Sequence, residues 1–379
     1  MNLFTTVSKD EFLNDYWQKK PVVFRHAFDD VKDFVSGDEL AGLACEDVVE
    51  SRIIRGFEAD GKWSCEHGPF VDYDYDSLGE RDWTLLVQGL DQWDSDVRAL
   101  LNQFDFLPRW RLEDVMASFA PRGGGVGPHF DYYDVFLVQT SGRRRWQTGQ
   151  TCTEDTPLRN NAQVRLLEEF VTRDTHDLNA GDAIYIPAGC AHWGTSLSDD
   201  CVTLSVGFRA PSDKELLSEA VELLVQRLSD AKRYQDTSKS IDTDPYKINA
   251  TAAEYAHQLL SRVDTGMLEE ALGEALGRLV TDTRYCSFSE EPSSWTSEAV
   301  EQLMKRGAGL IVSHQPHCRL AYSDTQLFVN GVAYELSPEF SKRVCKGVVT
   351  ASLNPRELAV LATLANDDMV VLTPLESQP

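Results

Sequence analysis

Gly123-Gly124-Gly125-Val126-Gly127-Pro128-His129-Phe130-Asp131-Tyr132-Tyr133-Asp134-Val135-Phe136-Leu137-Val138-Gln139-Thr140-Ser141-Gly142-Arg143-Arg144-Arg145-Trp146 is the stretch that decides the fold. It reads as a glycine-rich lead-in loop, an apolar strand, a tight turn at Ser141-Gly142 and a returning strand. His129 and Asp131 stand at the start of the first strand. Residues two apart on a strand share a face, so an imidazole and a carboxylate project side by side. Two such ligands need a third to hold a metal and leave coordination positions open. Two histidines and one carboxylate make the donor set of the non-haem Fe(II) oxygenases.

The third donor is expected from a neighbouring strand later in the chain. Gly181-Asp182-Ala183-Ile184-Tyr185-Ile186-Pro187-Ala188-Gly189-Cys190-Ala191-His192-Trp193 has a turn signal, a short apolar strand, a Pro-Ala-Gly turn and then His192. An H-x-D pair alone arises by chance in many chains. His192 behind that strand makes the pattern specific. The competing reading is three unrelated polar groups satisfied by core hydrogen bonds.

These residues resemble the JmjC-type cupin family of Fe(II) and 2-oxoglutarate oxygenases, and within it the bacterial ribosomal oxygenases. The resemblance covers most of the chain. It implies a double-stranded β-helix (jelly-roll) barrel, with Fe(II) held by His129, Asp131 and His192. It implies 2-oxoglutarate as cosubstrate, dioxygen as oxidant, and succinate and carbon dioxide as by-products. The implied substrate is an arginine of the large-subunit ribosomal protein L-sixteen, hydroxylated at carbon 3. In JmjC enzymes the far carboxylate of 2-oxoglutarate is held by a cation just past a Gly, on the strand after the one carrying H-x-D. Counting through Gly142 puts Arg144 there, with Arg143 and Arg145 facing outward. An arginine suits the task because its planar fork matches a carboxylate bidentately. Ser118 and Ser205 are candidate auxiliary hydroxyls, chosen on strand position alone.

The 379 residues are enough for two or three domains, and 42% apolar content suffices for a real core. No apolar run is long enough for a membrane helix. Acidic residues follow Met1-Asn2-Leu3-Phe4-Thr5, so no secretion signal is expected and the chain reads as cytoplasmic. The eight cysteines are scattered, with no CxxC pair, and read as free thiols. With 36 basic and 61 acidic residues the net charge is −25. Direct nucleic-acid binding wants a basic face and is not expected. An acidic surface suits a basic protein partner, or serves solubility alone.

In chain order, Ser8 to Trp17 predicts a capped helix, Lys20 to Arg25 a strand, Asp38 to Cys45 a helix and Val48 to Phe57 a strand. Gly68 to Asp76 is an acidic, aromatic loop whose Asp72, Asp74 and Asp76 could face a substrate. Trp83 to Gly89 and Leu112 to Phe119 read as strands, and Asp96 to Phe104 as a helix. Cys201 to Pro211 holds the last barrel strand. The catalytic domain is therefore 1–211. Residues 212–280 are helical, opening on a Ser212 cap and a stripe through Leu223, Leu224 and Leu228. Asp236 to Asn249 is a polar linker between helices. Family resemblance makes this region the homodimer contact. Residues 281–379 mix helices with strands at Cys318 to Tyr322, Gln326 to Leu336 and Met369 to Leu372, resembling a winged helix; Asn330-Gly331 inside the second segment is a hairpin-turn signal. The acidic balance favours a protein-interaction or dimer-supporting role for it over DNA binding. His314-Gln315-Pro316-His317-Cys318 lacks a second ligand pair and is not read as a zinc site. The glycine loop lacks a following Lys-Ser/Thr and is not read as a phosphate loop.

Three functions remain open. The first is a ribosomal-protein arginine 3-hydroxylase. The second is a JmjC oxygenase acting on another protein side chain or a small molecule. The third is a catalytically silent cupin serving as a dimeric binding module.

Overall fold

The computed structural model describes residues 3–28, 34–56, 63–71, 75, 77–160, 164–235, 246–248, 250–259, 261, 263, 265–283, 294–350 and 352–376. Asp72, Asp74 and Asp76 lie outside the described residues, as do Cys286 and most of the linker expected between 236 and 249. The chain divides into two compact units, Met1–Ala210 and Pro211–Pro379.

The first unit carries β1 (Val22–Phe24), β2 (Ser51–Gly56), β3 (Trp63–His67), β4 (Trp83–Val87), β5 (Leu112–Ala120), β6 (Asp134–Ser141), β7 (Arg143–Thr151), β8 (Asp174–Asn179), β9 (Ala183–Ile186), β10 (Cys190–Ser196) and β11 (Cys201–Phe208). They form an eight-stranded sheet in the order β1-β9-β6-β11-β5-β4-β2-β3 and a three-stranded sheet in the order β10-β7-β8. Every recorded pairing between these strands is antiparallel. This two-sheet arrangement is a jelly roll, the double-stranded β-helix expected from the sequence.

Strict alternation along the strands sorts residues between two cores. On β6, Phe136 and Val138 join Val206 and Phe208 of β11 in a core with Phe12, Phe24 and Phe104 of the N-terminal segments. The intervening Val135 and Leu137 turn the other way, to Trp146 of β7, Leu178 of β8 and Ile184 and Ile186 of β9. That second cluster joins the two sheets and fills one side of the barrel interior.

Several elements differ from expectation. The turn at Ser141-Gly142 does not close a hairpin, because β6 belongs to the large sheet and β7 to the small one. Gly142 has φ +64°, and an added Cβ there would clash with Ser198 Oγ. The turn chemistry is real, but it carries the chain from sheet to sheet. The first helix is a single α-turn, Lys9–Glu11, capped by Ser8, and then widens to π geometry over Phe12–Tyr16. The fully buried Phe12 makes ring contacts with Phe24, Phe136 and Tyr185, so tertiary packing overrides the regular period. The helix expected to Phe104 ends at Leu100, where a 3-10 turn continues it. Strand β3 was not anticipated.

In the second unit, helix Asp213–Arg227 has the full capping box of Ser212 and Glu215. It packs Ala220, Leu223 and Leu224 against Ala271 and Ala275 of helix Thr265–Thr281. Arg227 and Arg278 both pair with Glu274. Beyond them lie β12 (Leu310–His314), β13 (Leu320–Tyr322), β14 (Gln326–Val329), β15 (Val332–Glu335), β16 (Val348–Val349) and β17 (Val370–Pro374). They form two small sheets, β16-β12-β17 and β13-β14-β15, with helices Ser297–Met304, Pro338–Cys345 and Pro355–Asn366. This is the winged-helix arrangement. Asn330 and Gly331 have φ +45° and +78°, so the Asn-Gly inside the Gln326–Leu336 segment makes the tight β14–β15 hairpin turn that this dipeptide signals.

Candidate active site

Gly127 has φ +80°, and a Cβ there would meet Leu166 Cδ2 at 2.6 Å, so only glycine fits the approach to the site. His129 then pairs with His192 of β10 through two backbone hydrogen bonds, His129 N to His192 O (3.0 Å) and His192 N to His129 O (2.8 Å). Gly189 N donates to Asp131 O at 2.7 Å. The H-x-D segment was expected at the start of the strand. It lies before it, as an isolated bridge, with β6 beginning at Asp134. Pro128 has no N–H to extend the ladder, which accounts for the single bridge.

The bridge brings the three side chains together. His129, Asp131 and His192 each offer a ligand atom, all within 4.8 Å of one another. Asp131 Oδ2 is 3.7 Å from His129 Nε2 and 3.5 Å from His192 Nε2. His129 Nδ1 donates to Gly127 O at 2.9 Å, and His192 Nδ1 to Cys190 O at 3.0 Å. Each imidazole thus donates from Nδ1 and directs Nε2 towards Asp131, the orientation of ligating histidines. Burial, helped by His129 alongside, pushes the His192 pKa down to about 4. It is neutral at neutral pH, the state a metal needs. Two imidazoles and one carboxylate fit a divalent transition metal with open positions. Among the described residues no other His, Cys, Asp and Glu group does so.

Arg144 follows the alternation of β7: it is buried, while Arg143 and Arg145 are exposed and both reach Asp177. The Arg144 side chain donates from Nη1 to Ser118 Oγ (3.2 Å) and from Nε to Cys201 Sγ (3.4 Å). Its Nη2 is buried with no hydrogen-bond partner. Among the described residues no carboxylate forms an ion pair with it. A buried, unneutralised guanidinium with a spare donor is what an anionic ligand would complete. Trp146, two residues on, lies between the two poles: its ring is 5.7 Å from Arg144 Cζ and 6.0 Å from the His192 ring.

Of the two serines, Ser118 meets Arg144 and Ser205 is not among the partners of Arg144. Ser118 pairs with Thr203 across β5 and β11, while Ser205 pairs with Met116, one period further along. Strand position alone could not separate them. Cys201, Gln139, Thr203 and Trp146 were not anticipated, although Trp146 shares the face of Arg144 by alternation. Tyr133 is half-buried close to Asp131, Glu113 and Asp114, and desolvation, then these charges, raises its hydroxyl pKa. A cleft of about 670 Å³, lined by Arg145, Gln147, Trp193 and Thr195, lies on the opposite face of β7 and β10 from the triad.

Residues 99–216 match the family model of the JmjC domain, and residues 257–371 that of the ROXA-like winged helix. The chain is 36% identical over 314 residues to the ribosomal protein uL16 3-hydroxylase of Escherichia coli K12, covering 81% of this chain and 80% of that protein. It superposes on a crystal structure of ycfD from Escherichia coli with a TM-score of 0.80 and 31% identity, covering 98% of this chain and all of the other. A structure of YcfD, a ribosomal oxygenase, in complex with cobalt and 2-oxoglutarate, matches with a TM-score of 0.77 and 31% identity over 97% of this chain and 98% of that one.

Proposed function

This chain belongs to the JmjC-domain ribosomal oxygenases, and from that membership we propose that it 3-hydroxylates an arginine of ribosomal protein uL16. It is an iron- and 2-oxoglutarate-dependent oxygenase with a ribosomal-protein substrate. The observation that carries the site reading is the convergence of His129, Asp131 and His192 facing an unneutralised Arg144 in one barrel. A silent cupin has no need of either pole, and burying both without ligands would only cost stability.

We assign His129, Asp131 and His192 as the metal ligands and Arg144 as the anchor for the far carboxylate of 2-oxoglutarate. When bound, iron and 2-oxoglutarate supply the oxidising chemistry that places one atom of dioxygen on a C–H bond. The chain does the rest. The Gly127 and Cys190 carbonyls fix the tautomer and aim of both imidazoles. Asp131 supplies the negative charge between them. Ser118 orients the Arg144 fork. The apolar cluster around Trp146, Ile184 and Ile186 keeps water from that side of the interior. The excess of acidic over basic residues speeds encounter with a basic ribosomal protein and disfavours nucleic acid. Among the described residues no helix is long and apolar enough to cross a membrane, and we place the reaction in the cytoplasm, where ribosomal proteins are made.

The test uses purified enzyme, iron(II), ascorbate and 2-oxoglutarate with uL16, followed by fragmentation mass spectrometry. One arginine should gain about sixteen mass units, the mass of the single oxygen atom inserted. An unmodified uL16, together with hydroxylation of another protein side chain or a free metabolite, would move the assignment to the second reading.

We further propose that residues 212–280 form a homodimer contact separate in role from the catalytic barrel and from the winged helix. Leu217, Val221 and Val225 are exposed at i, i+4 and i+8 of helix Asp213–Arg227, on another face from the buried Ala220, Leu223 and Leu224. An apolar stripe of that spacing suits a partner helix. Val221→Glu should halve the mass seen by light scattering at micromolar concentration. A variant that stays dimeric would remove this stripe from the interface.

A further inference from the structure

Arg144 differs from the other well-placed arginines of its unit. Arg25 meets Asp182 at 2.7 Å, Arg111 meets the buried Asp134 at 3.1 Å, and Arg145 meets Asp177 at 2.7 Å. Arg144, only 4% exposed, is held among the described residues by uncharged groups alone. Its Nε donates to Cys201 Sγ, which also accepts from Gln139 Nε2 at 3.3 Å. Gln139 Nε2 shares its two N–H groups between that sulfur and the carbonyls of Ser141 (2.5 Å) and Val202 (3.0 Å), and its Oε1 accepts from Thr203 Oγ1 (2.9 Å). Ser118, which receives Arg144 Nη1, donates on to Thr203 O at 3.4 Å. The loop of contacts closes on three consecutive residues of β11. Gln139, Cys201 and Thr203 are fully buried, so no solvent substitutes for any of them.

We propose that Gln139, Cys201 and Thr203 are positioning residues for the cosubstrate: a neutral cradle that fixes the Arg144 fork and leaves its whole charge for the far carboxylate. This rests on the 2-oxoglutarate reading above. A carboxylate in the cradle would orient the guanidinium equally well but would neutralise it and compete with the ligand. A thiol is a weak acceptor, so it directs Nε without holding the charge. Gln139 pins the sulfur from behind, and Thr203 pins Gln139. Nη2 is then the donor left over, fixed in direction by two anchors on the same fork.

The test places charge in the cradle and reads binding directly. Wild type and variants are loaded with Co(II), a redox-inert stand-in for iron, and titrated with 2-oxoglutarate by calorimetry. Co(II) affinity and thermal midpoint are measured alongside. Cys201→Asp should weaken 2-oxoglutarate binding about a hundredfold and Gln139→Glu about tenfold, graded by distance from Nε, as expected for internal charge pairs. Cys201→Ser keeps a neutral acceptor and should stay within about threefold of wild type, since only a neutral hydrogen bond is altered. Co(II) affinity should not change in any of them, whereas a merely structural role would lower the thermal midpoint and spare the grading. Folded carboxylate variants that bind 2-oxoglutarate like wild type overturn the cradle. If neither folds, Gln139→Met decides: weaker cosubstrate binding at unchanged Co(II) affinity supports it, and unchanged binding overturns it. A wild-type protein that fails to bind 2-oxoglutarate would instead overturn the reading of the site.

Discussion

Asp131→Ala should leave the barrel folded while removing metal binding and hydroxylation together. The Asp131 carboxylate is about one-fifth exposed, and its recorded partners are the two imidazoles. The backbone that holds the segment is untouched by the substitution, because Gly189 N donates to the Asp131 carbonyl and His129 and His192 pair through their own amides. The thermal midpoint of the metal-free protein should therefore move little. The metal loses its one anionic donor. Removing even an outer-shell partner of a metal ligand costs about 10–100-fold in affinity, so removing the ligand itself should exceed that. Titration with Co(II) and substrate-coupled succinate release measure the two effects separately. His192→Ala is a less clean variant: its ring is buried against His129 and Trp146, and its loss opens a cavity as well. Wild-type turnover by Asp131→Ala in metal-scrubbed buffer would remove the triad from the mechanism.

How much of this was legible in the sequence depended on the range over which each signal acts. The H-x-D pair, the Gly-Asp turn before β9 and the burial of Arg144 between two exposed arginines are local, and the period of two along a strand is strict. Those features could be read from a few residues. The passage from β6 to β7 could not. Ser141-Gly142 gives the same turn signal whether the chain folds back on its own strand or crosses to a facing sheet. Strand β8 has Leu178 as its one buried residue, so it offers almost no hydrophobic pattern. Strand β12 is short and apolar and sits centrally between β16 and β17, without polar alternation to announce it. The choice between Ser118 and Ser205 needed the register of β11 against β5. The Gln139–Cys201–Thr203 network needed β6, β11 and β7 at once. Side chains that chelate are written into one short motif, whereas side chains that orient another side chain meet only when several strands have found their register.

Arg144→Ala should raise the 2-oxoglutarate requirement far more than it changes metal affinity. The guanidinium is buried, holds no carboxylate partner among the described residues, and keeps Nη2 unsatisfied. Losing a desolvated charge pair costs about 2–5 kcal/mol, which is about 30- to 5000-fold in binding. Stability should move the opposite way from binding. An unpaired buried cation is costly in the empty protein, so Arg144→Met, similar in length and apolar, should match or exceed the thermal midpoint of wild type while losing the cosubstrate. That opposition separates an anchor from a structural arginine, whose loss would lower both. Arg143 is the internal control. It sits one residue away on the exposed face, 3.8 Å from Asp177, and Arg143→Ala should leave the KM for 2-oxoglutarate unchanged. The three values of KM, with Co(II) affinity measured on the same preparations, decide the matter. Equal effects of Arg143→Ala and Arg144→Ala would mean that the cosubstrate is not held from the inward face of β7.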